Sequence, residues 1–150
     1  MVTDRASTSC LWILLSSQYP QYSLYFMALI ALDIMSHFAH LYSSLVAGLS
    51  SHKDVTKSKN IFLRLYYGNK GVLFLLCLGN EATFLLMSLF KMIEKESPSD
   101  HIFPVEYVSY LLYLSFPFML MKQWMNIMQL FNAMSDIAVI DEKERRAKKN

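Results

Sequence analysis

The sequence predicts an all-α integral membrane protein with about four membrane-embedded helices. Three observations carry this. Of its 150 residues, 54% are apolar and only 17% are charged, against about a quarter charged in an ordinary soluble domain. Uncharged apolar stretches recur at close to the roughly 20 residues that a helix needs to cross bilayer hydrocarbon. The charges that remain gather in a few short polar segments. Ten methionines and an aromatic share of 14% agree with this, because adaptable and interfacial side chains suit helices packed in lipid.

The first helix is expected to start near Thr3 or Asp4 and to end before Pro20. Thr3 is placed to cap it, its hydroxyl serving backbone N–H groups that have no partner in the first turn. Its opening turns are polar (Ser7, Thr8, Ser9), and Asp4 argues against a cleaved leader, which needs a positive start. A second helix follows from about Tyr22 to Ala47, stopped by Gly48. The 49–69 segment reads as a basic loop. A third helix covers about Lys70 to Ile93, and Pro98 and Pro104 break the polar stretch after it. The last helix begins near Val105 and continues through Pro117 towards Ile140, with an amphipathic second half and a charged tail from Asp141. Cys10 and Cys77 lie in apolar runs and read as buried or lipid-facing thiols, with no C-x-x-C and no metal-ligand spacing.

Charge sets the expected orientation. Four crossings put the N-terminus, the 49–69 loop and the tail on one side. That side collects Arg5, Lys53, Lys57, Lys59, Arg64 and Lys70, and also the basic tail. The other side holds Lys91 and Lys95 beside acidic neighbours. Basic residues of short loops favour the cytosol, so both termini are expected there.

An ionisable group at a helix centre costs about 2.5–3.5 kcal/mol on insertion scales and is a site hypothesis by default. In the second helix Asp33, His37, His40 and Ser44 recur on one face. They read as the lining of a hydrophilic cavity, as a hydrogen-bonded helix–helix seam, or as a helix emerging early into water. Asp33, His37 and His40 have a spacing compatible with metal binding, but two histidines and one aspartate on one helix are a weak metal signal. Asn80 and Glu81 fall mid-span in the third helix and read as interhelical hydrogen-bond formers. Lys122, Asn126 and Gln129 share a face of the last helix, with Gln123 beside them; Lys122 is expected to reach up to the cytosolic surface. The basic residues of the 49–70 segment suit lipid head groups or a phosphorylated substrate.

Several stretches resemble a known family. Met1-Val2-Thr3-Asp4-Arg5 resembles the end of the CDP-alcohol phosphatidyltransferase signature, D-x-x-D-G-x-x-A-R, eight residues, then G-x-x-x-D-x-x-x-D. Asp4 matches the fourth aspartate. L-D-I-M-S-H-F-A-H-L-Y-S-S (Leu32 to Ser44), S-S-H-K-D (Ser50 to Asp54) and F-L-R-L-Y-Y-G-N-K (Phe62 to Lys70) resemble the eukaryotic phosphatidylinositol synthase branch. The resemblance implies the C-terminal part of a six-helix fold, and transfer of a phosphatidyl group from CDP-diacylglycerol to myo-inositol with release of CMP. It implies Mg²⁺ or Mn²⁺ held by aspartates, with Asp4 as metal ligand and base. It also implies an endoplasmic reticulum membrane and a homodimer; nucleic acid is not an expected partner. His52, Lys53, Arg64 and Lys70 would stand at the cytosolic mouth of the cavity, Arg64 foremost because a guanidinium forks onto phosphate oxygens. Asp33 and His37 would line it. The first three motif aspartates, and the Gly, Ala and Arg that accompany them, are not in this sequence. It is therefore expected to be an N-terminally truncated form that is inactive alone, or a non-catalytic partner of a full-length copy.

Overall fold

The computed structural model describes residues 2–46, 68–95 and 105–149. In them the chain forms α1 (Val2–Gln18), a single 3₁₀ turn (Pro20–Tyr22), α2 (Ser23–Val46), α3 (Lys70–Lys95) and α4 (Val105–Ala147). No strand occurs among the described residues. Pro20 stands at the start of the 3₁₀ turn, where a residue without an N–H and with a fixed φ is tolerated. Helix α4 runs for 43 residues with Pro117 inside it. Helix α1 already includes Val2 and Thr3, so Thr3 lies within the helix instead of capping it. The start of α3 is capped by Asn69, whose Oδ1 accepts from the N–H groups of Gly71 at 2.9 Å and Val72 at 3.4 Å.

All four expected long helices are present. Pro20–Val46 and Lys70–Glu94 are long and apolar enough to cross a membrane by length and composition. Helix α1 has 17 residues and carries Asp4 and Arg5; the apolar start of α4 is diluted by Glu106, three tyrosines and Lys122.

The surface supports the membrane reading. Leu24, Tyr25, Phe38, Phe74, Tyr113 and Phe131 are among many large side chains left exposed. Asp33, Asn80, Thr83, Lys122, Asn126 and Gln129 are buried. A soluble protein keeps exposed apolar patches small and its charges outside. Helices in lipid show the reverse pattern, with polar residues turned towards one another.

The chain forms two compact units. The first comprises residues 1–31 and 74–123. Its core joins Trp12 and Leu15 of α1, Phe26 of α2, Phe84 of α3 and Met119 of α4. Trp12 and Phe84 meet edge to face, with ring centroids 5.4 Å apart, a geometry worth about 0.5–1.5 kcal/mol beyond burial. Tyr19 donates its hydroxyl to the Met87 carbonyl at 3.0 Å, and Lys91 lies 5.4 Å from the Tyr19 ring centre. Burial raises the Tyr19 pKa, the Lys91 charge opposing it. Thr8 pairs with Glu81, Trp12 with Phe84, and Tyr19 with Met87, so α1 and α3 run parallel. A polypeptide that crosses and recrosses a bilayer gives its first and third helices that relation.

Helices α3 and α4 approach closely at Gly79. A Cβ there would lie 2.4 Å from Phe118 Cβ and 2.9 Å from its Cγ. The absent side chain is what lets the two helices pack, as small residues do at membrane-helix interfaces. Around this contact Leu75, Leu78, Leu85, Leu111 and Leu114 line an open apolar groove of about 480 Å³.

The second unit comprises residues 32–73 and 124–150. Its interior is built from small and polar side chains. Ser36, Ala39, Ser43 and Ser44 of α2 are buried, as are Met125, Asn126, Gln129 and Ala133 of α4.

Gly79→Ala is expected to lower stability by about 1–3 kcal/mol, the usual cost of overpacking. Denaturant unfolding in detergent micelles measures it, with the exposed-site change Leu78→Ala as comparison.

Candidate functional site

A buried polar side chain in lipid has to find its partner inside the protein. The described residues do so in two ways. Several serine and threonine hydroxyls turn back onto their own helix. Ser36 donates to the Asp33 carbonyl at 3.0 Å, Ser44 to the His40 carbonyl at 2.8 Å, and Thr83 to the Gly79 carbonyl at 2.7 Å. Amides and carboxylates reach across to another helix.

In the second unit that reach centres on Asp33, 1% exposed. Asn126 Nδ2 donates to Asp33 Oδ1 at 3.0 Å. His37, one turn on, has Nδ1 2.8 Å from the Asp33 carbonyl and 3.7 Å from Asp33 Oδ1. A carbonyl only accepts, so Nδ1 is the nitrogen that donates in this contact. Ser44 is buried and His40 half-buried on the same face. Of the readings of this stripe, the hydrogen-bonded seam is the one with a visible partner, in Asn126.

In the first unit Gln123 Nε2 donates to Asn80 Oδ1 at 3.0 Å, with both residues buried. Thr8 of α1, 1% exposed, donates to Glu81 of α3. The interhelical reading of Asn80 and Glu81 therefore holds. Lys122 is 2% exposed, so it does not reach up to the membrane surface. Its face is shared with Asn126 and Gln129, both buried, and a residue on that face points inward with them.

The residues expected to act divide into four groups. Asp33 and His37 are described and adjacent. Lys70 is exposed at the first position of α3. His52, Lys53 and Arg64 lie outside the described residues. Asp4 lies in the first turns of α1, and its side chain lies outside the described set. Among the described residues no three His, Cys, Asp or Glu side chains converge on a point suited to a metal ion. Asp33, His37 and His40 do not form a metal site there. Sequence reasoning did not find the partner of Asp33, since Asn126 is 93 positions away.

Helices that turn apolar side chains outward and join through buried carboxylates, amides and hydroxyls define a polytopic membrane protein. Comparison with known proteins narrows the class. The chain is 42% identical to the CDP-diacylglycerol–inositol 3-phosphatidyltransferase of Schizosaccharomyces pombe, over 99% of this chain and 68% of that protein. It is 38% identical to the Homo sapiens protein of the same name, over 99% and 68%. It is also 38% identical to CDP-diacylglycerol–inositol 3-phosphatidyltransferase 1 of Arabidopsis thaliana, over 99% and 66%. No family model and no solved structure matches the chain. The chain belongs to the CDP-diacylglycerol–inositol 3-phosphatidyltransferase family.

Gln123→Leu would leave the Asn80 carbonyl buried without its donor, at a cost of about 1–3 kcal/mol. Adding Asn80→Leu is expected to recover part of that loss, since replacing both partners by apolar groups removes the unmet demand. Unfolding of the single and double variants in micelles decides it.

Proposed function

We propose that this chain takes part in transfer of the phosphatidyl group of CDP-diacylglycerol to myo-inositol, giving phosphatidylinositol and CMP. The observation that carries the reading is 42% identity to a protein named for that reaction, maintained over 99% of the chain. In the proposed reaction an inositol hydroxyl oxygen attacks the phosphorus that bears diacylglycerol. The bond from that phosphorus to the CMP oxygen breaks, CMP leaves, and the hydroxyl proton passes to the Asp4 carboxylate. A base within hydrogen-bond reach of the attacking hydroxyl contributes typically 10²–10⁴-fold.

The lipid phosphate and the nucleotide call for cations at the cytosolic face. Lys70, exposed at the head of α3, is suited to this, and Arg64, His52 and Lys53 are its sequence neighbours. Asp33 and His37 would contribute polar groups to the cavity wall. A divalent cation, Mg²⁺ or Mn²⁺, neutralises charge on pyrophosphate oxygens when it is bound. A single motif aspartate, Asp4, does not make such a clamp, and the described residues supply no cluster to complete it. The remaining ligands would come from the motif aspartates that stand before this one in the family. The orientation that puts Arg5, Lys70 and the basic tail in the cytosol fits an endoplasmic reticulum enzyme with a cytosolic active site. Pairing with another copy, as a homodimer or with a full-length chain, belongs to the same reading.

A second reading is that the chain acts without catalysing, as a membrane partner of a complete copy. Among the described residues no three metal-ligating side chains come together, and that favours it. Labelled inositol incorporation dependent on CDP-diacylglycerol separates the two. Membranes holding only these 150 residues are expected to incorporate none. A form preceded by helices bearing D-x-x-D-G-x-x-A-R is expected to be active. Asp4→Asn should then reduce turnover by about 10²-fold or more, and Arg64→Ala should lower it as well. No activity in the extended form would remove the enzyme reading; activity from the 150 residues alone would show that the metal site is complete within them.

A further inference from the structure

We infer that Glu81 recognises the hydroxyl groups of the acceptor, an inference that rests on the phosphatidyl-transfer reading above. Glu81 lies in the middle of α3, within a segment apolar and long enough to cross a membrane. It is half-buried, whereas its neighbours Asn80 and Thr83 are buried. Those neighbours are committed elsewhere, Asn80 to Gln123 and Thr83 to the Gly79 carbonyl. Glu81 Oε1 accepts from the buried Thr8 hydroxyl. A carboxylate accepts at about four lone-pair positions, so one neutral donor leaves it capacity for more. Ionisable groups at this depth face the protein interior or a water-filled cavity, not lipid. Glu81 therefore presents acceptor capacity, at bilayer depth, to whatever polar molecule enters.

The register of α1 places the proposed base close to this group. Asp4 precedes Thr8 by four residues, one turn earlier on the same face of α1 and about 6 Å along its axis. The turn carrying the motif aspartate is thus one turn from the turn that anchors Glu81, and both lie in the same compact unit. That separation is one that a sugar-sized ring bridges. A ring polyol is uncharged and offers adjacent O–H donors, which an acceptor-only carboxylate pairs with. A phosphate, a nucleotide or a carboxylated acceptor would be repelled. Glu81 would hold ring hydroxyls while the reacting hydroxyl faces Asp4. Thr8 is a positioning residue that fixes the Glu81 rotamer.

The test uses the chain preceded by helices bearing D-x-x-D-G-x-x-A-R, in membranes, with kinetics for both substrates. Glu81→Gln keeps an acceptor for Thr8 and removes the charge. It is expected to raise the KM for myo-inositol at least about tenfold, the usual scale for one hydrogen bond to a charged group, with the KM for CDP-diacylglycerol unchanged. A site built to bind a hydroxyl rejects an analogue lacking it. The variant is therefore expected to lose discrimination between myo-inositol and its singly deoxygenated analogues, a readout that a merely structural role would not move. Thr8→Val is expected to give a smaller rise in the inositol KM. Unchanged inositol KM and unchanged discrimination in an active Glu81→Gln variant would overturn this inference and leave the transferase reading intact. Absence of inositol transfer by the unsubstituted extended chain would overturn both.

Discussion

Asn126 donates a hydrogen bond at 3.0 Å to an Asp33 carboxylate that is 1% exposed. In a bilayer that carboxylate has no water to turn to, and a charge left unpaired there is costly. The demand fixes a great deal else. It sets which face of α2 turns inward, so that Ser36, Ala39, Ser43 and Ser44 are buried while Ile34, Met35, Phe38 and Leu45 are exposed. It sets the rotation of the second half of α4, which brings Gln129 and Ala133 in with Asn126. The small side chains beside the bond let the backbones approach, as hydrogen bonds of ordinary length require.

The first unit meets the same constraint with different residues. Thr8 and Glu81 join α1 to α3, and Gln123 and Asn80 join α4 to α3. Here the polar contacts flank an apolar core of Trp12, Leu15, Phe26, Phe84 and Met119. Gly79 gives Phe118 room against α3. The motif aspartate belongs to α1; α1 is joined to α3 by an aromatic contact and the Thr8–Glu81 hydrogen bond, and Tyr19 just after it adds a second hydrogen bond to α3. A helix held along its length in this way keeps the turn that carries Asp4 in register with the turn of α3 that carries Glu81. That register connects the fold to the proposed chemistry.

Much of this was legible in the sequence, for local reasons. Pro20 and Pro104 mark breaks that any helix must respect, and α2, α3 and α4 begin within a residue of where the pattern places them. The inward face of α2 could be read from the recurrence of Asp33, His37, His40 and Ser44. What remained hidden was non-local or depended on a single atom. Nothing in the neighbourhood of Asp33 names Asn126, because periodicity places residues on faces without saying which faces meet. Asn69 looked like one more polar loop residue; its capping role depends on its Oδ1 meeting two N–H groups. Thr3 looked like a cap, but α1 takes it in. Lys122 was legible and misread: its neighbours Asn126 and Gln129 one and two turns on pointed inward, and a lysine between an apolar stretch and a polar face followed them. The identity of the family could be read from short stretches, Asp4 and Leu32 to Ser44 among them, and the comparison with the fission yeast and human proteins bears it out.

The most direct test of this account is a double-mutant cycle on Asp33 and Asn126, read by unfolding in detergent micelles. Asp33→Ala, Asn126→Ala and the double variant isolate the energy of the pair from that of each side chain. The account predicts a coupling of about 0.6 kcal/mol, the average for hydrogen bonds between membrane helices, and at most about 1.7 kcal/mol. Losses that simply add would contradict it, because the bond from which the inward faces of α2 and α4 are argued would then contribute nothing.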